Sequence, residues 1–157
     1  MLIRNFASGD EPHLARIYYE AVHQTAAADY SPEQLAVWAP ADRDPVQWAE
    51  RIRRIKPFIA EIDGAIVGYA DLQPDGYIDL FYVSPQVGRR GVGSALLSHI
   101  QTLAVAKRVP RLYTQASLTA RPFFEKFNFV VDAAQVVVVS GIPLRNFRMS
   151  KYLEENR

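Results

Sequence analysis

The sequence predicts an α/β (α+β) fold in which a mixed, mostly antiparallel sheet is flanked by helices. Two Asp-Gly pairs, at 63–64 and 75–76, separate short apolar runs, as they do in a meander of antiparallel strands. Apolar residues recur at helical spacing before this meander and again after a glycine-rich loop at 88–93. Apolar runs at 129–139 and 144–152 predict two strands at the end of the chain.

The first third of the chain predicts one strand followed by three helices. Residues 2–6 form a short apolar strand, and Asp10 is placed to cap the first helix. Ser31 and Gln34 form a capping box with a proline between them, and Asp44 repeats the start signal before a third helix. The apolar face of the first helix has i, i+3, i+4, i+7 and i+8 spacing and consists of Leu14, Ile17, Tyr18, Ala21 and Val22.

Strands alternate with two further helices in the remainder of the chain. Residues 58–62, 65–70 and 77–83 are the strands of the meander, and a helix follows Gly93. Residues 111–116 predict another strand, and Thr119 is placed to cap the last helix. Residues 136–139 are interpreted as a strand buried on both faces or as part of a dimer surface, in which case the protein forms a homodimer.

The composition is that of a globular protein with a single domain, expected to span residues 1–157. Apolar residues make up 49% of the chain and charged residues 22%, which excludes a disordered protein. The net charge of +1 predicts no nucleic-acid partner. The absence of a long apolar run predicts no membrane partner and a cytoplasmic location. Cysteine is absent and three histidines are scattered, so no metal site is expected.

The glycine-rich loop, Gly88-Arg89-Arg90-Gly91-Val92-Gly93, lies between a predicted strand and a predicted helix. The first amides of a helix have no partner within it, and the helix dipole adds positive charge there. With two arginines beside them, these amides predict a site for phosphate or pyrophosphate. The nucleotide P-loop is excluded because the loop does not end in Gly-Lys-Ser/Thr. The dinucleotide fingerprint fits poorly because Leu96 stands at its third glycine.

Residues 80–97 resemble the acyl-CoA motif of the GNAT N-acetyltransferase superfamily. In that motif a strand ends near Val-x-Pro, here at 83–85, and a Gln/Arg-x-x-Gly-x-Gly/Ala loop opens a helix. Gly91 and Gly93 match the motif, whereas Gly88 stands where glutamine or arginine is usual. The resemblance implies a sheet of about seven strands flanked by about four helices, with a splay between strands four and five. It also implies acetyl-CoA (coenzyme A) as the cofactor.

A second block, residues 116–129, resembles the helix that ends near Gly-Phe in this family. Asn128 replaces the glycine and tolerates the left-handed conformation that a helix C-cap needs. Phe124 stands at the position of the family's usual proton-donating tyrosine. Residues 146–151 resemble the last strand of many members, so the resemblance covers nearly the whole chain.

For the cofactor, the resemblance implies a pantetheine arm beside the fourth strand and a pyrophosphate on the glycine-rich loop. The amide near Val83 would polarise the thioester carbonyl as charge develops on its oxygen. The implied cofactor-binding residues are Phe81, Tyr82, Val83, Gln86, Gly88, Arg89, Arg90, Gly91, Val92, Gly93, Ser94, Ser117, Phe123, Phe124 and Lys126.

For catalysis, Asp79 is the favoured base, because strand alternation places it on one face with Tyr77 and Phe81. The alternative for this carboxylate is structural, as a cap or as the partner of an arginine. A thiolate with a pKa of about 8.5 can leave without an acid. The candidate acids are Tyr82, Tyr113 and Ser117. The alternative bases are His23 and Tyr30, near the first helices, where the acceptor site is expected. The candidate acceptor-site residues are His23, Tyr30, Trp38 and Tyr113.

The predicted function is transfer of an acetyl group from acetyl-CoA to a primary amine of a small molecule or to an exposed amino group, by direct attack. One alternative is a sensor module that binds acyl-CoA without chemistry, and another is an interaction protein with no cofactor. Thiol release with a panel of amines separates the enzyme from the sensor. Stabilisation by acetyl-CoA excludes the third possibility.

Overall fold

A computed structural model describes residues 1–88 and 90–154. The α-helices in this part of the chain are α1 (Glu11–Glu20), α2 (Pro32–Trp38), α3 (Pro45–Ile55), α4 (Val92–Ala106) and α5 (Arg121–Lys126). A π-helical turn, Ala21–Thr25, and a 3-10 turn, Ala26–Ala28, follow α1. The strands are β1 (Leu2–Asn5), β2 (Phe58–Ile62), β3 (Ala65–Ala70), β4 (Tyr77–Ile78), β5 (Phe81–Val83), β6 (Arg111–Ser117), β7 (Val130–Val139) and β8 (Ile142–Tyr152).

The strands form two four-stranded sheets, with the orders β1-β2-β3-β5 and β4-β6-β8-β7. Every pairing is antiparallel except that of β4 with β6, where Tyr77 lies opposite Tyr113 and Ile78 opposite Thr114. The predicted mixed, mostly antiparallel fold with flanking helices is confirmed. The described chain has eight strands and five α-helices where about seven and about four were expected. The strand predicted at 77–83 accounts for the extra strand, because it is divided in two.

A buried carboxylate holds the break between β4 and β5. Oδ1 of Asp71 accepts hydrogen bonds from the backbone amides of Asp79, at 3.0 Å, and Leu80, at 2.6 Å. A side chain thus satisfies two amides that a neighbouring strand would otherwise have to bind. The prediction of one continuous strand was wrong. The break allows β4 to join one sheet and β5 to join the other, which opens a gap between β5 and β6.

Most predicted helix boundaries and turns agree with the structure. The Ser31 hydroxyl accepts from the Gln34 amide at 3.2 Å, and the Gln34 side chain accepts from the Ser31 amide at 2.8 Å, which completes the capping box. Asp44 caps α3 through the Val46 amide. Asn128 has a positive φ of 68°, as the position after α5 requires.

Two predicted caps differ. The Thr119 hydroxyl donates to the Asp29 carboxylate at 2.7 Å, and α5 begins instead where the Ala120 amide donates to Ser117 Oγ. Asp10 stands at the start of α1, but its carboxylate binds other partners than the helix amides, namely Arg4 and the Ala7 amide. In both cases a tertiary or loop partner competes successfully with the local cap.

Strand β7 is an edge strand with one face partly open. Val136 is 59% exposed and Val138 is 68% exposed, so the prediction of a strand buried on both faces was wrong there. The dimer-surface interpretation of the same residues stays a prediction.

Two apolar cores lie on opposite faces of the sheets. Helices α4 and α5 cover one face through a core that includes Leu96, Leu97, Ile100, Leu112, Phe124 and Met149. Helices α1, α2 and α3 cover part of the other face through a core that includes Leu14, Ile17, Trp48, Ile52, Tyr69 and Leu80. Among the described helices, none has both the length and the apolar character to cross a membrane.

Candidate active site

The open edge of β5 is the first element of the site. The Ser84 amide donates to Val67 O, and the Asp71 amide donates to Leu80 O, so residues 80 and 84 bond toward β3. In an antiparallel ladder every second residue bonds to the same neighbouring strand, so Tyr82 also bonds toward β3, whereas Phe81 and Val83 direct their N–H and C=O groups the other way. The backbone groups of Phe81 and Val83 therefore face the gap toward β6, where an extended ligand can bind as an added strand.

The gap is a cavity of about 300 Å³ that reaches both faces of the sheets. The β5 residues Phe81, Tyr82 and Val83 form one wall, and β6 forms the other. Phe123 and Phe124 close it on the α5 side, whereas the turn after α1 closes it on the opposite side. Its remaining lining residues are Ala21, Val22, Thr25, Ala26, Trp38, Asp79, Thr114, Gln115, Ala116, Ser117, Thr119 and Ala120.

The N-terminus of α4 is the second element. Gly91 is its N-cap with φ of 76°, and the first intrahelical bond runs from the Ala95 amide to Gly91 O. The amides of Val92, Gly93 and Ser94 are thus free of helical partners, as a phosphate site requires. Gly88 has φ of 57° and ψ of −141°, a conformation essentially restricted to glycine. The glycine that departs from the family pattern is therefore required by the backbone.

A ligand can approach the α4 amides closely because glycines, which have no side chain, lie at the start of this helix. A Cβ on Gly93 would lie 3.0 Å from the Phe123 ring, so a side chain at this position would require that ring to shift. A Cβ on Gly91 would meet nothing within 4 Å, which leaves open space over the amides. Arg90 is exposed beside them. The predicted contact of Arg89 lies outside the described residues. The residues present fit a pyrophosphate.

A second cavity, of about 190 Å³, lies on the face of β6 and β8 that α2 partly covers. It shares five lining residues with the gap, and these are Trp38, Asp79, Tyr82, Gln115 and Ser117. Its other walls include Tyr30, Tyr77, Val137, Val139, Leu144 and Asn146. A molecule in this second cavity can therefore meet a molecule in the gap at the five shared residues.

Asp79 stands at this junction, beside the strand break. Its carboxylate lies 3.5 Å from the Arg51 guanidinium, and about a third of the Asp79 side chain is exposed. The position of Asp79 is thus compatible with both roles predicted for it, the base and the partner of an arginine. The carboxylate reaches the place where two ligands would meet, and it is also the partner of an arginine.

Tyr82 is one of two hydroxyl-bearing residues at the junction, and Ser117 is the other. Its ring packs 4.6 Å from the Tyr18 ring and 5.9 Å from the Tyr69 ring, measured between centroids. Burial raises the pKa of the Tyr82 hydroxyl well above its ordinary value, and the Tyr18 and Tyr69 hydroxyls add to the shift. Tyr82 is therefore protonated throughout the neutral range, and the same shift makes its hydroxyl a weaker proton donor than an exposed tyrosine.

The second sequence block contributes packing and one polar group. Phe124 is 2% exposed, and its ring contacts those of Phe81, Phe123 and Phe129. The position of the usual tyrosine is therefore part of the apolar core. Ser117 lines both cavities, and its Oγ accepts from the Ala120 amide, which leaves the hydroxyl proton available.

Two residues predicted to bind the cofactor lie at the edge of the site. Gln86 is exposed in the turn between β5 and α4, and Lys126 is exposed in the last turn of α5. Neither lines the gap or the second cavity.

Of the predicted acceptor residues, Trp38 and Tyr30 line the second cavity. The Tyr30 hydroxyl donates to Arg145 O at 2.6 Å and accepts from the Leu118 amide at 3.0 Å. Burial raises the pKa of Tyr30. Through these bonds the Tyr30 hydroxyl links the end of the 3-10 turn to β8, so it is not free to act as a base.

The structure places His23 and Tyr113 away from the junction. His23 Nε2 lies 2.7 Å from Ala39 O, which can only accept, so this nitrogen carries a proton and cannot act as a base. The Tyr113 hydroxyl donates to the Asp75 carboxylate, and its ring stacks on Tyr77 at the outer part of the sheet face. The hydrogen bond to Asp75 raises the pKa of Tyr113.

Sequence patterns did not identify four residues that shape the site, which are Arg51, Asp71, Gln115 and Asn146. Asn146 Oδ1 is buried at the second cavity without a hydrogen-bond partner. Asp71 alone had a usable signal, because it directly follows the apolar run of β3. A carboxylate at the end of a buried strand needs donors nearby. Across residues 1–88 and 90–154 no cluster of three or more potential metal ligands occurs.

This geometry joins a cavity with an open strand edge to a glycine-lined helix N-terminus, which is the arrangement the sequence motif implied. The family model described as "Acetyltransferase (GNAT) domain" matches residues 26–151. The chain belongs to the GNAT acetyltransferase family. As a member of this family it is an acetyl-CoA-dependent N-acetyltransferase, which confirms the resemblance, the enzyme class and the cofactor expected from the sequence.

Individual relatives of this acetyltransferase agree with that assignment. The uncharacterized N-acetyltransferase YafP of Escherichia coli (strain K12) is 37% identical over 147 residues, which are 94% of this chain and 93% of that protein. The crystal structure of a GCN5-related N-acetyltransferase from Rhodopseudomonas palustris superposes with a TM-score of 0.91 at 34% identity, covering 97% of this chain and 95% of that one.

A more distant neighbour shows the same fold. YncA from Salmonella typhimurium, solved with its cofactor acetyl-CoA, superposes on this acetyltransferase with a TM-score of 0.71 at 22% identity. The alignment covers 100% of this chain and 96% of that one.

Proposed function

We propose that this acetyltransferase transfers the acetyl group of acetyl-CoA to a primary amine of a small molecule or to an exposed amino group. The observation that carries the proposal is the junction of the two cavities at Asp79, Tyr82 and Ser117. One cavity has the open strand edge that suits the pantetheine arm, and the other has a carboxylate at its inner end.

The donor side is formed by β5 and α4. The free amides at the start of α4, together with Arg90, would hold the pyrophosphate. The outward-facing backbone groups of Phe81 and Val83 would hold the pantetheine arm, and the Val83 amide would donate to the thioester carbonyl oxygen. Such a donor stabilises the charge that develops on the oxygen during attack.

The acceptor side supplies the proton chemistry. Acetyl-CoA, when bound, supplies an activated acetyl thioester. An amine that is protonated at neutral pH must lose a proton before it attacks, and Asp79 takes this proton directly or through water. The nitrogen would then bond to the carbonyl carbon as the carbon–sulfur bond breaks, and Tyr82 would donate a proton to the departing sulfur. The second ammonium proton, released as the amide forms, would return to Tyr82 directly or through water.

A thiol-release assay with a panel of primary amines tests the proposal. The chain has no cysteine, so a thiol reagent reports only free coenzyme A. We expect acetyl-CoA to stabilise the protein, by about 2.7 kcal/mol at 100 times its dissociation constant. We also expect thiol release to depend on both amine and enzyme.

Stabilisation by acetyl-CoA without turnover on any amine would instead favour the sensor. Phe124 is the observation that favours this second function, because it removes the usual proton donor.

A further inference from the structure

A row of polar side chains crosses the open face of the second sheet, starting at Asp79. Gln115 of β6 lies opposite Arg148 of β8, and Ile78 of β4 lies opposite Thr114. The residue that follows β4 is Asp79 and the next residue of β6 is Gln115, and both line the second cavity, which is the acceptor cavity of the proposed function. Asp79, Gln115 and Arg148 thus follow one another across three neighbouring strands.

The charges along this face leave Arg148 without a counter-ion. Arg51 pairs with Asp79 at 3.5 Å, and Arg111 pairs with Asp132 at 3.5 Å. Arg148 is exposed, and within the part of the chain that the structure describes it makes no ion pair and its side chain makes no hydrogen bond. The same holds for Arg145, which lines the second cavity. An arginine whose charge is uncompensated at a cavity can bind an anion in bidentate geometry.

Arg148 also lies in a space that adjoins the acceptor cavity. A pocket of about 410 Å³ is lined by Arg148, Arg111, Tyr113 and Asp132, and it shares Tyr77 and Gln115 with the acceptor cavity. A ligand can therefore extend from Asp79 past Gln115 to Arg148 along one continuous surface.

We propose that the acceptor is a primary amine that carries a carboxylate, and that Arg148 binds this carboxylate. The inference rests on the proposed function, since it assigns the amine to the Asp79 end of the row. Two strand spacings separate the ends of the row, roughly 10 Å between backbones. An aspartate and an arginine side chain cover part of this distance, so an amine and a carboxylate a few bonds apart can span the remainder.

The test compares matched acceptors in the thiol-release assay with the intact protein. Amino acids with aliphatic and aromatic side chains are each compared with their amides and with the corresponding decarboxylated amines. An ω-amino acid series from glycine to 6-aminohexanoate adds the dependence on the distance between the two charges. We expect the carboxylates to have the higher kcat/KM, by between about 10- and 100-fold, as a charge-assisted hydrogen bond predicts.

Two variants assign that preference to Arg148. Arg148→Gln is expected to abolish the preference for carboxylates, chiefly through KM, while leaving kcat/KM for the decarboxylated amines and KM for acetyl-CoA unchanged. Lys151→Gln is the matched control. It removes the same charge three residues along β8, but on the α4 face, where Lys151 bonds Gln101. The control is expected to retain the full preference.

The outcomes separate this inference from the function on which it rests. Amides acetylated as well as the acids, or an unchanged preference in Arg148→Gln, would overturn the role of Arg148 and leave the amine acetyltransferase intact. Stabilisation by acetyl-CoA with no acetylation of any amine would overturn both.

Discussion

Asp79 takes part in structural contacts and also lies where the proposed base is needed. Its amide helps to form the strand break through Asp71, and its carboxylate lies between Arg51 and the junction of the two cavities. Strand alternation in the sequence correctly places Asp79 on one face with Tyr77, since both line the same cavity. It wrongly adds Phe81, which packs against Phe123 and Phe124 on the opposite face because the strand break interrupts the alternation. The ion pair with Arg51 could not be predicted, because helix α3 reaches this position only through the packing of the fold.

Asp79→Asn is the residue-scale prediction for the proposed base. The amide cannot take the ammonium proton, so kcat for amines should fall at neutral pH by about 100-fold or more, whereas KM for acetyl-CoA should not change. Activity should recover partly as pH rises and more of the amine becomes neutral. Steady-state kinetics from pH 6 to pH 10 measure both effects.

The control for this variant is Asp63→Asn, in the β2–β3 hairpin, where φ is 51° and asparagine is well tolerated. Acetyl-CoA-induced thermal shifts verify that both variants are folded. A fully active Asp79→Asn enzyme would leave the carboxylate with only the structural role beside Arg51.

At the scale of elements, the start of α4 is the part of the site most completely determined by local sequence. Gly88 and Gly91 both have positive φ, and a side chain on Gly93 would require the Phe123 ring to shift. Glycine in such a spacing before a helix is readable from sequence, because the backbone requirement is local. The break between β4 and β5 could not be predicted from local sequence. It depends on the carboxylate of Asp71, eight residues before Asp79, which lies beside the break only in the folded meander.

Gly91→Val is the element-scale prediction for the phosphate site. The added side chain enters the open space over the α4 amides and should weaken acetyl-CoA binding by at least about tenfold, so that stabilisation at a given ligand concentration falls by about 1.4 kcal/mol. Thermal-shift titration with acetyl-CoA measures this change.

Gly64→Val is the matched control, since Gly64 has a similar φ of 80° and also meets nothing within 4 Å. Both variants incur comparable backbone strain, but only the α4 variant should lose affinity. Equal affinity in the two variants would contradict the phosphate site.

At the scale of the whole molecule, the division of the strands between two sheets is what creates a gap that opens to both faces. The carboxylate that holds this division is fully buried, and burial raises the pKa of Asp71 to about 6. Hydrogen bonds from Gln73 and from the Leu80 and Asp79 amides oppose that rise. The strand break is thus a feature whose stability depends on pH.

The free energy of unfolding should reflect this carboxylate. Because the folded pKa lies above the unfolded value of about 3.9, the folded state holds the proton more tightly. The associated stability is fully present below about pH 4 and is lost as pH rises through about 6, a change of about 3 kcal/mol. Urea unfolding of the wild type and of Asp71→Asn between pH 3.5 and pH 7 measures it.

Asp71→Asn is a suitable comparison because both backbone amides bond to the same oxygen, Oδ1, which asparagine retains. The Gln73 side chain, which now donates to Oδ2, can rotate its amide to accept instead. The variant should therefore gain stability relative to the wild type as pH rises. A stability difference that is constant across this range would exclude Asp71 as the titrating group.

The sequence by itself determined the helices with their caps at Ser31 and Asp44, the Asp-Gly hairpin, the glycine-lined start of α4 and the family. These features depend on residues within a few positions of one another, whose backbone conformations and hydrogen bonds are set locally. Only the tertiary structure decided the strand break at Asp79, its pairing with Arg51 and the row that leads to Arg148. Those contacts join residues from separate helices and strands, and nothing in the local chain specifies which strands become neighbours.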